Sequence, residues 1–143
     1  MALLDTLSVH LVTARHQSAA ASHARILIAT ADFRRAAGLR EILLRRRYAV
    51  SIALDPAAVS RQLHSRTVDL LVVELGDPGL DGLAICRSLR AEGLTVAVIM
   101  LHAAAGVDEL LAGFDAGADA FLRGWYSHAE LLAQIDALTR RRA

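Results

Sequence analysis

Five short apolar runs, each followed by an amphipathic stretch, leave this chain few folds to choose from. ILIA (26–29), AVSIAL (49–54), VDLLVVE (68–74), TVAVIML (95–101) and ADAFL (118–122) are bounded by polar residues. Short continuous apolar runs are what strands covered on both faces require. The stretches between them carry helical spacing. Ala36, Leu39, Ile42 and Leu43 share one face after the first run, and Val59 and Leu63 form a thin stripe after the second. Ile85, Cys86 and Leu89 point inward in the third helix, Leu110, Leu111 and Phe114 in the fourth, and Leu131, Leu132, Ile135 and Leu138 in the fifth. Asp55 before Pro56 reads as a helix cap with proline in the first turn. Ser127 and Glu130 have capping-box spacing, and Arg140 to Arg142 suit the negative end of a helix dipole.

Strand and helix alternating through short connections predict an α/β fold, a doubly wound five-stranded parallel sheet. In such sheets the functional crevice lies beyond the carboxyl ends of the strands. Those ends carry Thr30-Ala31-Asp32, Asp55, Glu74, His102 and Arg123-Gly124-Trp125.

Composition narrows the function. The 143 residues, 55% hydrophobic, suit one domain with a real core. No apolar run approaches the ~18–20 residues of a membrane helix. A net charge of +1 announces neither nucleic acid nor an anionic membrane as a partner. There is no Lys, so Schiff-base chemistry is excluded; all 16 basic residues are Arg. The single cysteine, Cys86, cannot form an internal disulfide or a thiolate metal site, which points to a reducing cytoplasm and a small buried side chain. No glycine-rich phosphate cradle is present, and the remaining histidines lack metal-ligand spacing. Residues 1–24 read as an N-terminal extension, partly helical or disordered, with Leu3, Leu7 and Leu11 four apart; residues 25–143 read as the domain.

ILIATAD, LLVVELGDPGLDG, VIMLHA and GADAFLRGWYSHAELL together resemble the receiver domain of bacterial two-component response regulators, the CheY-like family. The resemblance runs from about Arg25 to Leu138. Pro78, Gly79, Asp81 and Gly82 carry its most specific part. It implies a (βα)5 flavodoxin-like sheet of order 2-1-3-4-5. It also implies a site where an aspartate is phosphorylated with Mg²⁺, and partner contact through the face of the fourth helix, fifth strand and fifth helix.

Carried over residue by residue, the site departs from the family everywhere. The acidic pair after the first strand falls on Thr30 and Ala31, with Asp32 one place along. The acceptor aspartate falls on Glu74, the Thr or Ser on His102, the Lys on Gly124 and the Pro on Trp125. Mg²⁺ needs near-octahedral oxygen ligation. The lost Lys removes the cation that would neutralise a phosphoryl group. The expectation is a degenerate receiver, or pseudo-receiver, that is not an enzyme, binds no cofactor, holds Mg²⁺ weakly at best, and signals by protein contact, with homodimerisation open. The alternatives are a receiver that still accepts a phosphoryl group through unusual ligands, with Asp32, Glu74 and Asp77 as a displaced metal site, and the receiver part of a transcription regulator.

Four local expectations follow. Glu74 is either a fixed mimic of a phosphorylated aspartate or the partner of His102, whose imidazole would be charged more readily beside it. Gly124–Trp125 is trans, since a cis bond before a non-proline costs ~2.5–4 kcal/mol. Trp125 and Tyr126 either cover the emptied site or offer an aromatic anchor to a partner. Phe121, at the family's switch position, is plain core.

Overall fold

The structure is a computed structural model, and it describes residues 24–142. The strands are β1 (Arg25–Ala29), β2 (Ala49–Ala53), β3 (Leu70–Glu74), β4 (Ala97–His102) and β5 (Ala120–Arg123). The helices are α1 (Phe33–Arg45), α2 (Pro56–Ser65), α3 (Gly82–Ala91), α4 (Val107–Ala116) and α5 (His128–Arg142). All strands are parallel, in the order β2-β1-β3-β4-β5. The extension expected over 1–24 lies outside the described residues except for Ala24.

Strand alternation builds two cores. Leu27, Leu71, Val73, Val98 and Met100 face α2, α3 and α4. Ile26, Ile28, Leu70, Val72 and Ile99 face α1 and α5. Cys86 is fully buried in the first core, and burial pushes its thiol pKa up, as a packing residue rather than a reactive one. β5 begins two residues later than the apolar run. Asp119 precedes it and takes the Val98 amide on its carboxylate.

Aspartate caps open three helices. Asp32 accepts from the Arg34 amide at 3.0 Å, Asp55 from Ala58 at 2.8 Å and Asp81 from Ala84 at 3.1 Å. Asp81 reads in the sequence as part of the turn-rich loop; it is the N-cap of α3.

The expectation for α4 is overturned. Leu111 and Phe114 do not pack inward; with Val107 they are 55%, 44% and 57% exposed respectively. The buried side of α4 is instead Gly113 and Ala116, with Gly113 set against the Phe121 ring and the Met100 sulfur. Large residues therefore point to solvent at positions i, i+4 and i+7.

α5 is tied to the foot of β2. The Tyr48 hydroxyl donates to Asp136 and lies 3.2 Å from the Thr139 hydroxyl, while Arg46 reaches Asp136 at 2.9 Å. Burial, then the Asp136 bond, pushes the Tyr48 pKa from 10.0 up to about 12. A folded pKa above the unfolded one gives stability that is full below pH 10 and lost as pH rises toward 12. Tyr48→Phe is expected to cost about 1 kcal/mol at neutral pH and to flatten part of this alkaline decline. Urea titrations of both proteins across that range check it.

Candidate functional site

The carboxyl ends of β1, β3 and β4 meet the β5–α5 loop at the top of the sheet. Glu74 ends β3 and is mostly buried, its side chain 18% exposed. One carboxylate oxygen accepts the Thr30 hydroxyl at 2.9 Å. The other takes a hydrogen bond and ion pair from the Arg35 guanidinium. Thr30 is buried, and its hydroxyl oxygen also accepts the Asp32 amide at 3.1 Å. Arg35 lies in the first turn of α1, where Asp32 reaches its Nε at 3.6 Å. The bond to Glu74, then its charge, raise the guanidinium pKa above its ordinary value. The result is an internally neutralised carboxylate where a crevice would otherwise present free charge.

Asp32 and Asp77 lie beside this arrangement, each engaged with backbone amides rather than with Glu74. Asp77 bridges two loops, accepting the Ala31 amide at 3.2 Å on one oxygen and the Gly79 amide at 2.9 Å on the other. It is thus a structural tie between these loops. The Glu74–His102 pair does not form. Both Glu74 oxygens are engaged elsewhere, and the His102 ring lies where a Cβ on Gly76 would point, 2.8 Å from that position. The chain turns through Gly124 at φ +70°, backbone that favours glycine, and no cis peptide bond occurs among the described residues. Trp125 is fully exposed, so it does not cover the site. Tyr126 does lean in. It packs on the α1–α5 core, and burial, then Glu74, raise its pKa. Phe121 is only partly buried and makes a tilted ring contact with exposed Phe114 at 6.5 Å.

The residues do not fit the Mg²⁺ that the family resemblance implies. Thr30 and Ala31 bring no carboxylate, Glu74 already faces a guanidinium, and Asp32 and Asp77 are committed to backbone amides. Among the described residues no group of three or more His, Cys, Asp or Glu could hold a metal. The sequence reading missed Arg35. The signal was present: a carboxylate stripped of its Lys and metal needs another cation, and Arg35 is one helical turn from the site.

The sheet order, the two-sided helix cover and a site at the strand carboxyl ends define a doubly wound, flavodoxin-like domain. Residues 26–136 match the response regulator receiver domain, and the chain belongs to that family. It is 38% identical over 117 residues to response regulator MprA of Mycobacterium ulcerans, covering 82% of this chain and 50% of that protein. The MprA of Mycobacterium tuberculosis H37Rv matches at the same identity, with 51% of its length covered. The chain thus spans about half the length of the curated relatives it matches. Among solved structures, the Francisella response regulator 1452 receiver domain superposes with TM-score 0.78 at 22% identity, over 84% of this chain and 99% of that one. A response regulator from Chloroflexus aurantiacus gives 0.75 at 27% identity, over 82% and 98%. The family is a signalling module rather than a classical enzyme. No described helix is long and apolar enough to cross a membrane.

Proposed function

We propose that this receiver signals without aspartyl phosphorylation, as a cytoplasmic module that contacts another protein and neither nucleic acid nor membrane directly. The observation that carries this reading is the Thr30–Glu74–Arg35 arrangement. A phosphoryl group entering there would meet a carboxylate already bonded and a cation already spent. The same bonds weigh against Glu74 as a phosphate mimic, since its charge is held inward and neutralised. Phosphoryl acceptance through unusual ligands would first require Arg35 to leave.

The contact face is α4, β5 and the start of α5. Val107, Leu111 and Phe114 expose an apolar stripe that runs onto Phe121, and Trp125 stands free beside α5. Apolar and aromatic side chains grouped this way are the usual centre of a protein interface. In sedimentation velocity, a second copy on this face is expected to give a concentration-dependent dimer. Leu111→Asp should weaken it about tenfold or more, and acetyl phosphate with Mg²⁺ should leave it unchanged. A dimer strengthened by acetyl phosphate would contradict phosphorylation independence, and one indifferent to Leu111→Asp would move the contact elsewhere.

A further inference from the structure

A cleft of about 500 Å³ opens between α1 and α5, on the side of the sheet away from α2, α3 and α4. Its floor is apolar, formed by Ile28, Val72 and Leu101. Leu39 and Ile42 of α1 form one wall and Leu131 of α5 the other. Leu39 and Ile42 belong to the helix face expected to be buried, yet both remain partly exposed. The size and lining match those of small-molecule sites, which are mostly apolar with a few polar groups at the mouth. Its mouth lies at the strand carboxyl ends, beside the switch point between β1 and β3 where the order of the strands reverses.

Gly38 supplies an independent observation. It sits inside α1 and lines the cleft. Glycine is the least favourable helix-interior residue after proline. No positive φ requires it, and a Cβ built there meets nothing within 4 Å. No close packing explains it. The effect that glycine does have is to keep this wall low and the cleft wide.

Arg34 lines the mouth and has no ion-pair partner among the described residues, while His102 and His128 add ring nitrogens that can hydrogen-bond a ligand. The acid present, Glu74, is already matched by Arg35. We propose that the cleft binds a small organic anion with an apolar body. The anionic head meets Arg34 and His128, and the body lies along Leu39, Ile42 and Leu131. The mouth includes Glu74 and Arg35, so this proposal rests on their pairing described above, and decanoate binding is read separately from any phosphoryl mass gain.

Decanoate and its neutral counterpart decanol test it on the full chain, followed by the emission of Trp125 and by amide shifts in nuclear magnetic resonance. Decanoate is expected to saturate with a dissociation constant on the order of 0.1–1 mM, shifting Gly38, Leu39 and Leu131. Gly38→Phe fills the cleft from an exposed helix position and should weaken decanoate about tenfold while the thermal midpoint holds. Arg34→Gln should weaken decanoate and leave decanol unchanged. Three results would overturn the proposal: no saturable shift with decanoate, equal binding to Gly38→Phe, or decanol binding as tightly as decanoate. The last would remove the anion from the account, and the second would place the ligand on the surface.

Discussion

Arg90→Ala is expected to lower the stability of this domain by about 3 kcal/mol. The side chain leaves the end of α3 and satisfies three carbonyls on other segments. Nη1 donates to Leu94 at 2.9 Å and Val96 at 2.8 Å, and Nη2 donates to Gly117 at 2.8 Å. Nη2 also reaches Asp119 at 3.2 Å, whose carboxylate in turn takes the Val98 amide. Gly117 closes α4 at φ +112°, with the Arg90 stem packed where a Cβ would sit, so no other residue fits there readily. One guanidinium therefore fixes the end of α3, the entry to β4, the end of α4 and the entry to β5. The side chain is 27% exposed, so water can reach part of what alanine leaves behind. That keeps the loss well below the sum of the bonds. Urea unfolding with an unchanged m-value checks the figure. Arg90→Lys should recover only part of it, because one ammonium cannot present the planar fork that spans these acceptors.

Ile135→Ala should cost about 3–4 kcal/mol. Ile135 is fully buried in the core that α1 and α5 share with the sheet. α5 approaches the sheet through Leu131, Ile135 and Leu138, with the Tyr48–Asp136 contact beside them. Collapse into the space left by the side chain is limited by that tie. Leu111→Asp provides the contrast, since its exposed position should change stability by no more than about 0.5 kcal/mol. Measured together, the two substitutions separate residues that hold the fold from residues that face a partner. Comparable losses for both would mean that α4 is not oriented as described.

Much of the fold was legible because each level of the sequence agreed. ILIA and VDLLVVE are apolar without alternation, and their strands are covered on both sides. Asp55-Pro56 gave the start of α2 from two residues. The strand order came from the family resemblance, since periodicity says nothing about which strands adjoin. α4 misled for a physical reason. Both of its faces carry apolar residues, and hydrophobicity alone does not show that small Gly113 and Ala116 would be the ones buried, with Gly113 against Phe121. Asp81 was hidden by its loop, which is rich in turn residues. At the site, the substitutions at Thr30, Ala31, Glu74, His102 and Gly124 were readable one by one. Their replacement network was not. The partners in the Arg35–Glu74 and Ala31–Asp77 contacts lie 39 and 46 residues apart, and only the folded chain shows which side chain crosses.

We propose that Arg35, bonded to Glu74, keeps a phosphoryl group out of the site. Intact-mass analysis after incubation with Mg²⁺ and acetyl phosphate tests it most directly, with Trp125 emission followed as Mg²⁺ and then beryllofluoride are added. The account predicts no mass gain and no saturable response at this site. A gain of one phosphoryl group that disappears in Glu74→Gln would contradict it and show that Arg35 yields its place to the phosphoryl group.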